Sequence, residues 1–264
     1  MVLENVTGNL LAYKALEPGT FQHADQLTTA RRTNMGLRDE QFHTTDGELY
    51  TVQEGKPLWA ITREPQNLVL QNIDEAYKQL TNQGNYFPDT EAAQTSLEHK
   101  DTVVVNLREL GLVKYNHQHR DGYFEVNPEA VTRLNYEQRK AAQRIYGPDE
   151  ENFGLNMEMF AEARTNPRVY VLMPDYVQST LRSNDEKFVG RASWLGSFYN
   201  GSIFLADDRY VNYRYNLRGV RRAITVGAKN EVPPAPQEMG TVRSPTMEDI
   251  LAVSQSHVSN SDRD

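Results

Sequence analysis

The chain contains no cysteine. That excludes disulfides and thiolate-ligated metals and is compatible with a reducing compartment. No apolar run approaches membrane-spanning length. The opening stretch MVLENVTGNLLAYKALEPG has neither a basic n-region nor an apolar h-region, so no secretory signal is read there. These absences predict a cytoplasmic or virion-associated protein with no direct membrane insertion. Catalytic signatures are missing as well: no G-x-S-x-G, P-loop, dinucleotide-binding or H-E-x-x-H pattern occurs. No nucleophile is paired with a base at a recognisable spacing, so the expectation is a protein that is not an enzyme and holds no cofactor or metal. Excess positive charge is absent too. The net charge is −8 and the pI about 5.4, which argues against general nucleic-acid binding.

The most informative absence is local. From Leu195 to Ala228 there is no Lys, Glu, Gln, Met or Trp, although those five types fill about a fifth of the chain. All of their codons end in a purine, and everything in the tract can be written with codons ending in a pyrimidine. What fills the tract instead is Tyr, Asn, Ser, Asp, Gly and Arg. Tyr199, Tyr210, Tyr213 and Tyr215 put four of the fourteen tyrosines into this one stretch. Tyr offers large amphipathic contact area at small entropic cost, and Asn, Ser and Gly offer adaptable hydrogen bonding, so the mixture reads as a recognition surface.

The rest of the chain has regular patterning. Its length suits one large domain, or one domain with an appendage. Mean hydropathy is −0.69, so much of it must be surface, loop or tail. Residues 1–45 are polar and weakly periodic. Residues 48–62 read as a hairpin around Glu54-Gly55-Lys56-Pro57. A helix is predicted over 71–82, and another from a capping Asp89 to about His99. Strands are predicted over 101–107, 123–126 and 168–172. Asn127-Pro128-Glu129 predicts the start of a helix running to about Ile145. A further helix is predicted over 154–164, and a short helix or turn from Pro174 to Leu181. From Lys229 the composition turns Pro-, Ser- and Gln-rich, as in a tail.

Several clusters could carry chemistry. His117 and His119 flank Gln118 and could chelate a metal, but spacing supplies no third ligand and a polar turn is the better reading. Asp207 and Asp208 are adjacent and would face opposite sides of a strand. Arg218, Arg221 and Arg222 could hold phosphate; in an acidic chain a structural arginine is the better reading.

The segment Gly190 to Arg222, GRASWLGSFYNGSIFLADDRYVNYRYNLRGVRR, resembles the variable region of diversity-generating retroelement variable proteins. Val169-Tyr170-Val171-Leu172-Met173-Pro174-Asp175-Tyr176 looks like the lead-in of archaeal-type members, and Leu217-Arg218-Gly219-Val220-Arg221 resembles their closing strand. The likeness is specific over 168–222. It implies an α+β protein of C-type lectin fold, with helices and short strands preceding a C-terminal variable β region. It also implies diversification through template adenines, which scatters Asn codons into many residues but never into the five missing types. The division implied is an N-terminal segment 1–45 packing on or preceding the domain, a lectin-like domain 46–228 with its variable region at about 190–222, and a polar, Pro-containing tail 229–264.

By this resemblance the ligand-binding positions are Gly196, Ser197, Tyr199, Asn200, Gly201, Ile203, Leu205, Asp207, Asp208, Tyr210, Asn212, Tyr213, Arg214 and Tyr215. Trp194 belongs with them, although no such Asn codon yields Trp. The scaffold would be Arg191, Ala192, Ser193, Leu195, Phe198, Ser202, Phe204, Ala206, Arg209, Val211, Leu217 and Arg221. The implied partner is a variable ligand, a protein or cell-surface molecule, and not nucleic acid. Many members end at the variable region, so the tail is a departure. Copper-cysteine chemistry known on this fold has no residue to use here, and the tract has no Glu-Pro-Asn calcium motif. Two alternatives stay open: a viral receptor-binding structural protein built on the same module, and a metal-dependent enzyme of unrecognised type.

Overall fold

The computed structural model describes residues 2–8, 11, 22–83, 85–115, 120–198, 204–205 and 215–221, with the backbone alone in 2–8, 81–83, 204–205 and 215–221. In chain order the elements are β1 (Val2–Gly8), α1 (Ala24–Thr33), β2 (Phe42–Gln53), β3 (Lys56–Thr62), α2 (Leu68–Gln71), α3 (Ile73–Gln83) and α4 (Thr90–Glu98). Then come β4 (Val103–Asn106), β5 (Val113–Tyr115), β6 (Asp121–Glu125), α5 (Tyr136–Tyr146), α6 (Glu150–Glu162), β7 (Arg168–Leu172) and α7 (Pro174–Asn184). The last are β8 (Phe188–Leu195), β9 (Phe204–Leu205) and β10 (Tyr215–Arg221).

β2 and β3 form the hairpin that alternation predicts, paired from Gly47↔Thr62 to Gln53↔Lys56. Its two turn residues, Glu54 and Gly55, have φ of 50° and 76°. Two left-handed residues give the turn whose twist matches that of the flanking strands. β2 is the hub of the sheet. It also pairs antiparallel with β8 and parallel with β10, and β10 lies antiparallel against β1. The strand order is β1-β10-β2-β8-β9-β7-β6-β5, with β4 attached to β3.

Both faces of β2 are buried. Tyr50 belongs to the main core with Leu27 of α1, Ile145 of α5, Phe160 of α6 and Val177 of α7. Its neighbour Leu49 belongs to a second core with Val69, Ala76 and Leu97 of α2, α3 and α4. Adjacent strand residues point to opposite faces, so the sheet is sandwiched between two helical layers.

Three features depart from the sequence reading. α1 lies in a region that reads as weakly periodic, because its inward face carries the polar Asp25, Thr28 and Arg31 beside Ala24 and Leu27. The helix predicted from Asn127 is two elements. A 3-10 turn, Pro128–Arg133, ends before an extended Leu134, and α5 then starts afresh at an Asn135–Gln138 capping box. The division at residue 45/46 falls inside β2, so α1 and the sheet share one unit, Met1–Ala223. The expected tail, residues 229–264, lies outside the described residues.

Gly47 sits where β2 bulges between His43 and Gly47. A Cβ there would lie 2.5 Å from Asn67 Oδ1 and 2.8 Å from Thr62 Oγ1. Asn67 cannot yield, since its side chain donates to the Thr45 carbonyl (2.9 Å) and accepts from Val69 N (3.1 Å), capping α2. Gly47→Ala is expected to cost about 1–3 kcal/mol of folding stability, read as a lower urea midpoint.

Candidate functional site

The tract with the missing residue types begins at the last residue of β8, Leu195, and strand register places it. One row across the sheet runs Phe42↔Leu195, Leu195↔Phe204, Phe204↔Val169 and Val169↔Phe124. Phe42, Leu195, Val169 and Phe124 all sit in the main core. The adjacent row runs His43↔Trp194, Trp194↔Leu205, Leu205↔Tyr170, Tyr170↔Tyr123 and Tyr123↔Val113. Alternation turns His43, Trp194, Tyr170, Tyr123 and Val113 to the other face. Trp194 and Tyr170 are only 5% and 4% exposed, yet neither belongs to a helix-covered core cluster.

This row is an aromatic band beside β9. The Tyr170 ring stacks on Tyr123 at 5.2 Å and meets Tyr115 edge-on at 4.8 Å. The Arg168 guanidinium lies 5.3 Å from the Tyr123 centroid. Exposure grows outward along the band, to 39% at Tyr115 and 54% at Val113 on the edge strand β5. Burial raises the Tyr170 phenol above its ordinary pKa, so it stays neutral.

On the opposite face the start of the tract is clamped by α1. Arg31 is fully buried, and its hydrogen bonds among the described residues all go to backbone carbonyls. Its Nη2 donates to the carbonyls of Gly196 (2.8 Å) and Glu40 (2.8 Å), and its Nε to that of Leu37 (3.1 Å). The guanidinium lies 5.5 Å from the Phe42 centroid and 5.6 Å from that of Phe198. Arg38 stands over the Phe198 ring at 5.3 Å, and Phe160 meets that ring edge-on at 5.1 Å. Burial pulls the Arg31 pKa down to about 9, which leaves it cationic at neutral pH. A cavity of about 490 Å³ opens beside this clamp, between Phe198, Arg38 and the exposed Met35.

A second buried polar group fills the seam where β7 and β8 part. Among the described residues, β9 joins them at Trp194–Leu195 and Val169–Tyr170. Lower on β8, Tyr86 N donates to the Gly190 carbonyl at 3.1 Å. There Arg191 Nη2 donates to Asn85 Oδ1 at 3.0 Å. The register partner of Arg191 is Glu48, which accepts from the Tyr50 hydroxyl and from Ser193 Oγ (3.4 Å). Leu172 N donates in turn to the Tyr50 oxygen at 3.4 Å. Burial pushes Glu48 up to about 8, so it is a neutral acid at pH 7.

These positions correct part of the sequence reading. Trp194, Gly196 and Ser197, expected on an exposed face, are buried. The reason is that β8 keeps its register to Leu195, and the Arg31 clamp then holds the Gly196 carbonyl. Leu205 and Tyr215 lie on β9 and β10, where the backbone is described. Tyr199, Asn200, Gly201, Ile203, Asp207, Asp208, Tyr210, Asn212, Tyr213 and Arg214 lie outside the described residues, as do His117 and His119. Of the expected scaffold, Arg191, Ser193, Leu195 and Phe198 are buried and Ala192 is half-buried. Tyr115, Tyr123 and Arg31 were not singled out by sequence. Among the described residues no group of three or more His, Asp or Glu could hold a metal ion, and no helix is long and apolar enough to cross a membrane.

Helical layers over a branched sheet, with a late β8–β9–β10 stretch returning beside β1 and β2, make this a C-type lectin fold. The chain is similar to a solved structure described as the accommodation of massive sequence variation in Nanoarchaeota by the C-type lectin fold. The TM-score is 0.55 at 15% identity, over 83% of this chain and 97% of that one. No protein-family model matches the chain, and no curated protein does.

Proposed function

We propose that this chain is a ligand-binding protein, without catalysis, whose surface beyond β8 is diversified at its codons by a retroelement. The observation that carries the reading is the absence of Lys, Glu, Gln, Met and Trp from Leu195–Ala228, a tract that threads β9 and β10. The likeness in fold to a structure concerned with massive sequence variation supports it. In this reading the Arg31 clamp fixes where the tract starts, and the Tyr115–Tyr123–Tyr170 band is an invariant shoulder beside it. Side chains from Tyr199 to Tyr215 set specificity, with Tyr as apolar anchors and Asn, Asp and Arg as hydrogen-bonding groups. The ligand is a protein or cell-surface molecule.

The test is the DNA. A near-repeat of the segment encoding 195–222, differing at template adenines and lying near a reverse-transcriptase gene, is the expected result. A locus with neither overturns diversification. At the protein level, Tyr210→Ala, Tyr213→Ala and Tyr215→Ala together are expected to leave folding intact. Loss of the native circular dichroism spectrum in that variant would show that these rings are core rather than contact surface.

A further inference from the structure

Away from the tract, one face of α5 is unusual. Tyr136, Arg139, Lys140, Gln143 and Arg144 recur at helical spacing, and all line one cavity of about 510 Å³. The opposite face of α5 is ordinary core, with Ala141, Ala142 and Ile145 buried. A stripe of this width on a globular helix is either apolar and covered or polar and fully solvated. Here it is cationic and walls a concavity, in a chain whose net charge is −8.

The cavity floor is Arg63, which makes ion pairs with Asp25 and with Asp46 (3.2 Å) and donates to the Arg144 carbonyl at 2.9 Å. Those two carboxylates are thereby committed to Arg63. Arg139 is paired with Glu150. Lys140 and Arg144 are different, since neither has a carboxylate within 4.0 Å among the described residues. Lys140 Nζ donates to the Val104 carbonyl and lies 5.5 Å from the Tyr136 centroid. Arg144 Nη2 donates to the Asp101 carbonyl at 2.7 Å, while its Nε is buried with no hydrogen-bond partner. Two cations with no carboxylate at ion-pair distance among the described residues, one carrying an unused N–H, therefore share a cavity of the size small ligands occupy. The remaining wall is Val103, Leu134, Gly147 and Pro148 with Asp25, whose carboxylate is paired with Arg63, and Tyr136 stands at the rim 76% exposed.

We propose that this cavity binds a small phosphate monoester carrying a planar ring. The phosphate sits between Lys140 and Arg144, where charge-assisted hydrogen bonds are strongest, and the ring lies against Tyr136. None of the residues lining the site belongs to the tract Leu195–Ala228. The site would give the protein a fixed ligand beside its variable one.

Isothermal titration of the full chain with adenosine monophosphate, inorganic phosphate and adenosine tests this. Saturable binding of adenosine monophosphate is expected, with phosphate weaker and adenosine weaker still. Lys140→Gln and Arg144→Gln should each weaken adenosine monophosphate about tenfold or more. Tyr136→Ala should weaken adenosine monophosphate and leave phosphate unchanged. If Arg144→Gln fails to fold by circular dichroism, Lys140→Gln carries the test. The proposal is overturned if neither anion binds saturably, if Lys140→Gln leaves adenosine monophosphate binding unchanged, or if adenosine binds as tightly as its phosphate.

Discussion

Arg31→Met is expected to remove about 3–5 kcal/mol of folding stability, a large share of what a domain of this kind possesses. The side chain is fully buried and its guanidinium satisfies the carbonyls of Leu37, Glu40 and Gly196. Methionine fills part of the volume and leaves all three acceptors dry, at about 1–3 kcal/mol each before relaxation. It also loses the contacts of the cation with the Phe42 and Phe198 rings. Removing a buried charge returns some of its desolvation cost, so the net falls below the sum. Arg31→Lys should recover little, because a single ammonium cannot reproduce the planar fork that spans acceptors on different segments. Urea denaturation checks the size. Hydrogen exchange checks the place: the amides of 196–198 should lose protection in a partly stable variant before those of β2 and β3 do. A midpoint near that of the wild type would show that water or neighbouring side chains satisfy the three carbonyls without Arg31.

That clamp also marks where sequence reading reaches its end. The hairpin, α4 behind its Asp89 cap, β7 and α7 are legible because each is encoded locally, by alternation, by a capping residue or by Pro at a first turn. The C-type lectin fold was legible as a resemblance carried by residues 168–222. Arg31 was not, since nothing in the local run ARRTN distinguishes a fully buried arginine from a solvated one. Its role depends on Gly196, 165 residues away. The tyrosine band fails for the same reason. Tyr115, Tyr123 and Tyr170 come from three strands and meet only through the β5-β6-β7-β9 order. Within the candidate site, the start of the tract was legible from composition, but the burial of Trp194, Gly196 and Ser197 depends on the register of β8 against β2. Composition reports which residue types are present, and register decides which face they occupy.

The second large expected effect is a loss of stability with rising pH that vanishes in Glu48→Gln. The Glu48 carboxyl has an ordinary pKa of 4.5 in the unfolded chain and about 8 in the folded one, chiefly because it is buried. Its contribution is complete below 4.5, where both states are protonated. Between 4.5 and about 8 the unfolded chain ionises while the native acid keeps its proton, so stability falls as pH rises. The ceiling on that slope is about 1.4 kcal/mol per pH unit. Other groups act in the same range. His23, half-buried beside Asp46 and Thr45, has its pKa lowered from 6.5 to about 4, mainly by desolvation. Its contribution has the opposite sign: it is complete above 6.5 and is lost as pH falls toward 4. Between pH 6.5 and 8, therefore, His23 is silent while Glu48 still acts. Over that window the wild type should lose about 2 kcal/mol more than Glu48→Gln, which keeps an acceptor for the Tyr50 and Ser193 hydroxyls but cannot ionise. Urea midpoints of the two proteins at half-unit pH intervals provide the measurement. Parallel profiles would mean that Arg191, the register partner of Glu48, holds the carboxylate ionised in the native state and that the seam is an ion pair.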